Sequence, residues 1–115
     1  NGGTGTDTAS YAAAAAGVTA SLASGTATND GDGGADTLTS IENLTGSAFD
    51  DTLAGSTAAN IIDGGAGNDV INADSGNDTI SGGAGNDTID GGANTDTVTY
   101  VAAASGIVVT MATGT

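Results

Sequence analysis

A nine-residue pattern is repeated four times in succession over residues 64–99, and it constrains the fold more than any other feature of the chain. The four copies cover residues 64–72, 73–81, 82–90 and 91–99. The sixth residue of every copy is Asp, and the eighth is Ile or Val. A fixed short period of this kind is typical of a solenoid, in which each repeat packs mainly against its neighbours.

The residue types divide each copy into a turn and a short strand. Glycines, most often at the first, second and fourth places, permit positive φ, so six residues can form a tight turn with inward carbonyls. The last three residues are extended, and their central aliphatic side chain points into the solenoid. Two copies complete a coil of 18 residues. This spacing places Asp51, Asp69 and Asp87 in one column, and Asn60, Asp78 and Asp96 in a second.

The stacked acids require a cation that the chain itself does not supply. Adjacent strands lie about 4.8 Å apart, and two carboxylates at that spacing repel by roughly 3–4 kcal/mol at an effective dielectric near 20. The chain has 14 acidic residues and no Lys, Arg or His. Ca²⁺ suits carboxylate and carbonyl oxygens in flexible geometry. We therefore predict several Ca²⁺ ions, with carboxylate ligands from Asp51, Asp69, Asp78, Asp87 and Asp96 and turn ligands from Gly64, Ala66, Gly67, Gly82, Ala84 and Gly85.

The turns over residues 64–69 and 82–87 both read Gly-Gly-Ala-Gly-Asn-Asp, and an aliphatic residue follows two places later. This pattern resembles the calcium-binding nonapeptide of the RTX (repeats-in-toxin) family. The resemblance implies an all-β fold, a right-handed parallel β-roll or β-helix solenoid. It also implies type I secretion of a chain that is unfolded in the low-calcium cytosol and folds outside, in the extracellular space or at the cell surface.

Composition alone would indicate a disordered chain, with net charge −14, 21 Gly and only three aromatic residues. Regular placement changes this, because one aliphatic residue in every nine builds a thin continuous core. Six repeats over residues 46–99 bury six such side chains. These are too few to offset the ordering of the backbone, at about 1–2 kcal/mol per residue. The metal is therefore expected to be structural.

The pattern weakens outside the strong repeats. Residues 1–26 hold a lone nonapeptide, with Asp7 sixth and Ala9 eighth, followed by a loop and a strand over residues 18–22. Residues 27–45 read as degenerate repeats, a nonapeptide at 31–39 and a shortened one at 40–45. Within the six repeats of residues 46–99, Asn60 replaces the expected Asp, which argues against calcium at that turn.

A longer repeat overlies the short one. Residues 2–26 align without gaps on residues 91–115, an offset of 91 − 2 = 89, with 13 of 25 positions identical. We therefore interpret residues 1–26 as the end of one unit of about 89 residues. Residues 100–115 then begin the next irregular segment and repeat residues 11–26. This arrangement, together with the absence of an initiator Met or signal peptide, suggests a window on a tandem array.

Several function classes are disfavoured. Nucleophile and base triads need His, Lys or Cys in most forms, and the acids lie at a repeated turn position rather than in one cluster, so no enzyme is expected. A net charge of −14 opposes nucleic-acid binding, and no apolar run is long enough for membrane insertion.

Two functions remain open. The first is a calcium-stabilised stalk or filament segment of a very large extracellular or surface protein such as an adhesin, with self-association of units into an array. The alternative is an auxiliary RTX β-roll that helps a secreted hydrolase or toxin to leave the cell and fold. The 89-residue repeat favours the first. Ice binding by rows of Thr is a distant third, because Ile61 and Val70 interrupt the rows.

Overall fold

The computed structural model describes residues 1–100 and 108–110 of the chain. All regular elements in these residues are strands, and none is a helix. The strands are β1 (Thr8–Ser10), β2 (Thr19–Ser21), β3 (Thr26–Asn29), β4 (Asp36–Thr37), β5 (Asn43–Thr45), β6 (Thr52–Ser56), β7 (Ile61–Asp63), β8 (Val70–Asp74), β9 (Thr79–Ser81), β10 (Thr88–Asp90), β11 (Thr97–Thr99) and β12 (Val108–Thr110). The predicted all-β class is confirmed.

Successive nonapeptides alternate between two sheets. Sheet A has the order β1-β5-β7-β9-β11 and is parallel throughout. Sheet B has the order β12-β10-β8-β6-β2-β3-β4 and is parallel from β12 to β2. Residues 18 apart are therefore neighbours, as Ile62 and Ile80 are in sheet A. The predicted coil of two nonapeptides, stacked in parallel, is confirmed.

The three-residue strands β2, β7, β9 and β10 bury their central side chain alone, and β5 also buries Asn43. In β7, Ile61 is 56% exposed whereas the adjacent Ile62 is fully buried. Successive side chains of a strand point to opposite faces, so a strand of this length can place one residue in the interior. The pattern of one aliphatic residue per repeat follows from this geometry.

Most of the core consists of two ladders of inward side chains, one from each sheet, and Tyr11, Val18, Ala27 and Ala73 are also buried in it. The ladder of sheet A contains Ala9, Leu44, Ile62, Ile80 and Val98. The ladder of sheet B contains Ala20, Leu53, Ile71, Ile89 and Val109. Both ladders begin with alanine, so their inward side chains are smallest at the N-terminal end of the solenoid.

The N-terminal end departs from the nonapeptide prediction. The strand predicted over residues 18–22 is present as β2, and the alanine run before it is a loop. The repeat expected at residues 31–39, however, does not form a coil. β3 pairs antiparallel with β2, and β4 pairs antiparallel with β3, so this stretch is a hairpin.

Local hydrogen bonds explain the hairpin. The Asp30 carboxylate accepts the N–H groups of Asp32 (2.9 Å) and Gly34 (2.9 Å), which closes the loop between β3 and β4. Gly31 and Gly33 supply the positive φ that this loop requires, 81° and 94°. We call residues 26–41 the cap segment, because they extend sheet B beyond β2 and line a groove beside β1 at the end of sheet A. The predicted irregular segment at 100–115 lies outside the described residues, except for Tyr100 and β12.

Candidate metal centre

The nonapeptide turns form two columns along opposite sides of the solenoid. The first column carries the chain from sheet A to sheet B and contains the turns at residues 46–51, 64–69 and 82–87. The second carries it back from sheet B to sheet A at residues 55–60, 73–78 and 91–96. Each turn ends on the sixth residue of its repeat, immediately before the next strand.

The sixth residues are joined along each column by hydrogen bonds at a spacing of 18. In the first column, the Asp51 N–H donates to Asp69 Oδ1 (2.9 Å), and the Asp69 N–H donates to Asp87 Oδ1 (3.0 Å). In the second, the Asp78 N–H donates to Asp96 Oδ1 in the same way (3.0 Å). The predicted columns are present. The carboxylates are also stabilised in part by backbone N–H groups, and not by a cation alone.

A second ladder, which the sequence reasoning missed, runs through the fifth residues of the turns. The Asn68 N–H donates to Asp50 Oδ1 (2.7 Å), and the Asn86 N–H donates to Asn68 Oδ1 (2.8 Å). In this ladder the donor lies in the later coil, whereas in the sixth-residue ladder it lies in the earlier one. The recurrence of Asn or Asp at the fifth place, as in Asn77, was the signal for it.

Each strong repeat leaves one carboxylate oxygen without a partner. Among the described residues, the buried side-chain atoms that lack a hydrogen bond are Oδ2 of Asp7, Asp69, Asp78, Asp87 and Asp96. A buried polar atom without a partner costs about 1–3 kcal/mol, and more when it is charged. Five such atoms at one repeated position indicate a ligand that the protein chain does not provide.

In four of these five turns, glycine at the first position makes room for this oxygen, whereas the turn of Asp78 begins with Ala73. A Cβ at Gly64 or Gly82 would collide with Oδ2 of Asp69 or Asp87, respectively. At Gly91 it would lie 2.7 Å from Oδ2 of Asp96. Hard oxygen donors, a cradle closed to side chains and an unpaired carboxylate oxygen together fit a Ca²⁺ ion.

Burial opposes the charge that these columns carry. The pKa of Asp69 is raised to about 7, chiefly by burial and to a smaller extent by the charges of Asp51, Asp87 and Asp50, against the lowering effect of the Asp51 N–H. Burial also raises the pKa of Asp78. Packing and ionisation of these carboxyls therefore oppose one another unless a cation lies beside them.

Carboxylates alone do not complete a metal site. No group of three or more acidic side chains converges within residues 1–100 and 108–110. The backbone carbonyls of the turns are the remaining donors. The carbonyls of Gly64, Ala66, Gly67, Gly82 and Gly85 accept no hydrogen bond from the described part of the chain, whereas the Ala84 carbonyl accepts one from the Gly67 N–H (2.9 Å).

In two degenerate turns, the side-chain oxygens of the sixth residue accept hydrogen bonds from protein atoms instead. Asp51 Oδ2 accepts the Ser47 N–H (2.6 Å), and its Oδ1 accepts the Ser47 hydroxyl (2.7 Å) and the Val18 N–H (2.7 Å). Asn60 accepts the Ser56 N–H on Oδ1 (2.7 Å). Asp51 therefore joins its column, as expected, but it has no free oxygen comparable to that of Asp69.

Asp7 is a site residue that the sequence reasoning left out. Its Oδ2 is buried and unpaired, and its N–H donates to the Glu42 carboxylate (2.9 Å). The second column therefore continues from Asn60 through Glu42 to Asp7, because Asn60 Nδ2 donates to the Glu42 carbonyl (2.7 Å). The turn at residues 2–7 reads Gly-Gly-Thr-Gly-Thr-Asp, which was the available signal.

This geometry defines a class of protein: a parallel β-solenoid whose turns offer oxygen ligands to a hard cation. The family model of the RTX calcium-binding nonapeptide repeat, which contains four copies, matches residues 45–80 and again residues 65–98. The two matches together span residues 45–98, and over these residues the chain is similar to the RTX repeat family, whose repeats bind calcium.

Repeats of this family form a calcium-binding structural module of secreted proteins. No curated protein sequence matches the chain. In the part of the chain that the structure describes, no helix has the length and apolar character needed to cross a bilayer.

Proposed function

We propose that the chain is a segment of a calcium-stiffened stalk or filament in a very large extracellular or surface protein, such as an adhesin. The observation that carries this proposal is a structural repeat at the same offset as the sequence repeat. β1 begins at Thr8 and β11 at Thr97, and β2 begins at Thr19 and β12 at Val108. Both pairs are separated by 89 residues, which supports a unit that recurs along one solenoid.

We propose further that calcium lies between successive turns of each column. Asp69 and Asp87 provide carboxylate oxygens in the first column, as do Asp78 and Asp96 in the second. Turn carbonyls complete the ligand set, from Gly64, Ala66, Gly67, Gly82, Ala84 and Gly85. The bound ion supplies positive charge to the free Oδ2 atoms, so that the acidic columns join neighbouring coils rather than repel one another.

The hydrogen-bond ladders through the fifth and sixth residues of the turns support a role in stiffness. Each coil is joined to the next through the fifth and sixth residues of its turns, in addition to the strand ladders. The bond from Asn86 to Asn68 and that from Asp69 to Asp87 both cross between coils. Resistance to bending at every coil boundary suits a rod. Calcium at millimolar concentration outside the cell would fill weak structural sites of this kind.

The alternative function, an export and folding module of a secreted hydrolase or toxin, requires the same calcium-dependent coils. The six adjacent nonapeptides of residues 46–99 would serve it. The 89-residue offset is the feature that such a module does not need. We therefore favour the stalk.

The proposal is tested with a tandem chain in which residues 1–90 are followed directly by residues 2–115, so that the 89-residue offset is kept. Four strand spacings separate β1 from β11 in sheet A. At about 4.8 Å each, one added unit lengthens a continuous rod by roughly 19 Å. Small-angle X-ray scattering in calcium should show this increase relative to the 115-residue chain. A scattering profile of two flexibly linked bodies would contradict the stalk.

A further inference from the structure

The N-terminal edge of sheet A is unpaired, although the equivalent edge one unit later is paired. The Tyr11 N–H donates to the Thr45 carbonyl (2.8 Å). The backbone N–H and C=O groups of the odd-numbered residues in and beside β1 therefore point toward β5. The backbone N–H and C=O groups of Thr8 and Ser10 therefore point away from β5, at the free edge of the sheet. Their equivalents are Thr97 and Thr99, which face β9, and the Thr97 N–H donates to the Asp78 carbonyl (2.8 Å).

The matching edge of sheet B has two different partners in one chain. In β12, the Val108 N–H donates to the Asp87 carbonyl (2.8 Å), so this edge pairs in parallel with β10. In β2, the equivalent residues Thr19 and Ser21 pair instead with antiparallel β3. Because a strand edge has one row of donors and acceptors, it cannot pair with β3 and with a parallel strand at the same time.

The cap segment fills this end less completely than a coil does. An open groove of about 510 Å³ lies between β1 and the cap segment, lined by polar residues such as Asp7 and Asp36 as well as by Ala9, Tyr11 and Leu38. On sheet B the cap places Ala27 against Ala20, whereas β10 places the larger Ile89 against Val109, the equivalent of Ala20. A preceding coil would therefore bring a larger apolar side chain to the same place.

We propose that the N-terminal end of the solenoid is the docking surface for the last coil of another copy of this repeat, and that the cap segment is displaced when that copy precedes it in the chain. The preceding β9 pairs with β1, and the preceding β10 takes the edge of β2 that β3 occupies here. Asp78 of the preceding copy then stacks on Asp7, the equivalent of Asp96, so the second acidic column continues through the junction. This inference rests on the proposed array.

The experiment uses two variants of the tandem chain, each with one engineered cysteine pair, which is possible because the sequence contains no cysteine. The junction pair is Thr88→Cys in the first copy with Thr19→Cys in the second. The cap pair is Ser21→Cys with Thr26→Cys, both in the second copy. In the 115-residue chain the matched controls are Ser21→Cys with Thr26→Cys and Thr88→Cys with Val108→Cys. Both control pairs occupy adjacent strand positions and should oxidise fully.

In calcium, under mild oxidation, the junction variant should form its disulfide and leave no free thiol, whereas the cap variant should retain both thiols. Thiol titration and peptide mapping read out the two results. Oxidation of the cap pair with a reduced junction pair would overturn the inference. If the same tandem chain still scatters as a continuous rod, the array proposal survives that outcome. If it scatters as two flexibly linked bodies, both proposals fail.

Discussion

At the scale of single residues, the sixth residue of each strong repeat has two separate roles. Oδ1 of Asp87 accepts the N–H of Asp69 and joins two coils, whereas its Oδ2 is buried without a protein partner. The first role contributes to the fold with or without metal. The second leaves an unpaired oxygen that becomes favourable only beside a cation.

Asp87→Asn should separate the two roles. The amide oxygen can still accept the Asp69 N–H, but the charge and the free carboxylate oxygen are lost. We expect the calcium concentration at the folding midpoint to rise by about tenfold or more, because affinity depends on the charge of the ligand set. Asp63→Asn is the matched control, since Asp63 is exposed on β7 and belongs to neither column. Circular dichroism during calcium titration measures both, and equal midpoints would contradict the assignment.

Tyr11 gives a prediction in alkaline solution. Burial raises the pKa of its hydroxyl to about 12, with further contributions from the charge and the hydrogen bond of Asp36 and from the charge of Asp30. Because the folded pKa lies above the ordinary value of 10.0, the neutral hydroxyl stabilises the fold fully below pH 10. This contribution disappears as the pH rises through about 12.

The chain has no Lys, Arg or Cys, so side chains of these types do not contribute to a stability change in this range. In calcium, the urea midpoint of the chain should fall as the pH is raised from 10 to 12. The urea midpoint of the Tyr11→Phe variant should fall less over the same pH range. Tyrosinate absorbance locates the titration itself. If the variant and the original chain lose stability in parallel, the bond from Tyr11 to Asp36 (3.3 Å) does not hold the cap segment.

At the scale of the strand, one inward side chain per nonapeptide carries the packing. Ile62 and Ile61 provide a matched test, because they are adjacent residues of β7 with the same side chain and opposite burial. Ile62→Ala should lower the free energy of unfolding in saturating calcium by about 2–5 kcal/mol. Ile61→Ala should change it by no more than about 0.5 kcal/mol. Urea unfolding provides the comparison. Similar losses of unfolding free energy for both variants would be inconsistent with a core made of one inward side chain per nonapeptide.

The strands that could be predicted from the sequence are those whose position follows from the period. A spacing of 18 between Asp69 and Asp87 determines the coil, the column and the inward direction of Ile71 and Ile89, because the strand geometry is the same in every repeat. Local residue types also indicated that the turn at Asn60 differs from the others.

The cap segment could not be predicted in this way. Residues 31–39 contain an Asp and an aliphatic residue at the expected places, yet Asp30 closes a local loop, and the end of sheet B offers a free edge to β3. Which of two pairings is preferred depends on contacts with β2, distant in sequence from β4. The hydrogen bonds of Ser47 and Ser56 in the weaker turns likewise depend on the folded turn rather than on the period.

At the scale of the whole molecule, the fold places most of its charge along two lines and has nothing positive among its side chains to oppose it. The net charge is −14, and the two ladders of inward side chains form most of the apolar core that holds the coils together. Binding to the folded state alone stabilises it in proportion to the logarithm of ligand concentration, by roughly 4 kcal/mol at a thousandfold excess over Kd. Several sites filled together are enough to decide whether such a chain folds.

The central claim is that calcium is part of the structure, and circular dichroism of the 115-residue chain tests it most directly. In millimolar calcium we expect a β-rich spectrum, and after chelation we expect the spectrum of a largely disordered chain, recovered when calcium is restored. Magnesium at the same concentration should not replace calcium, because it binds reluctantly to flexible sites rich in carbonyl oxygens. An unchanged β spectrum in chelator would contradict the account.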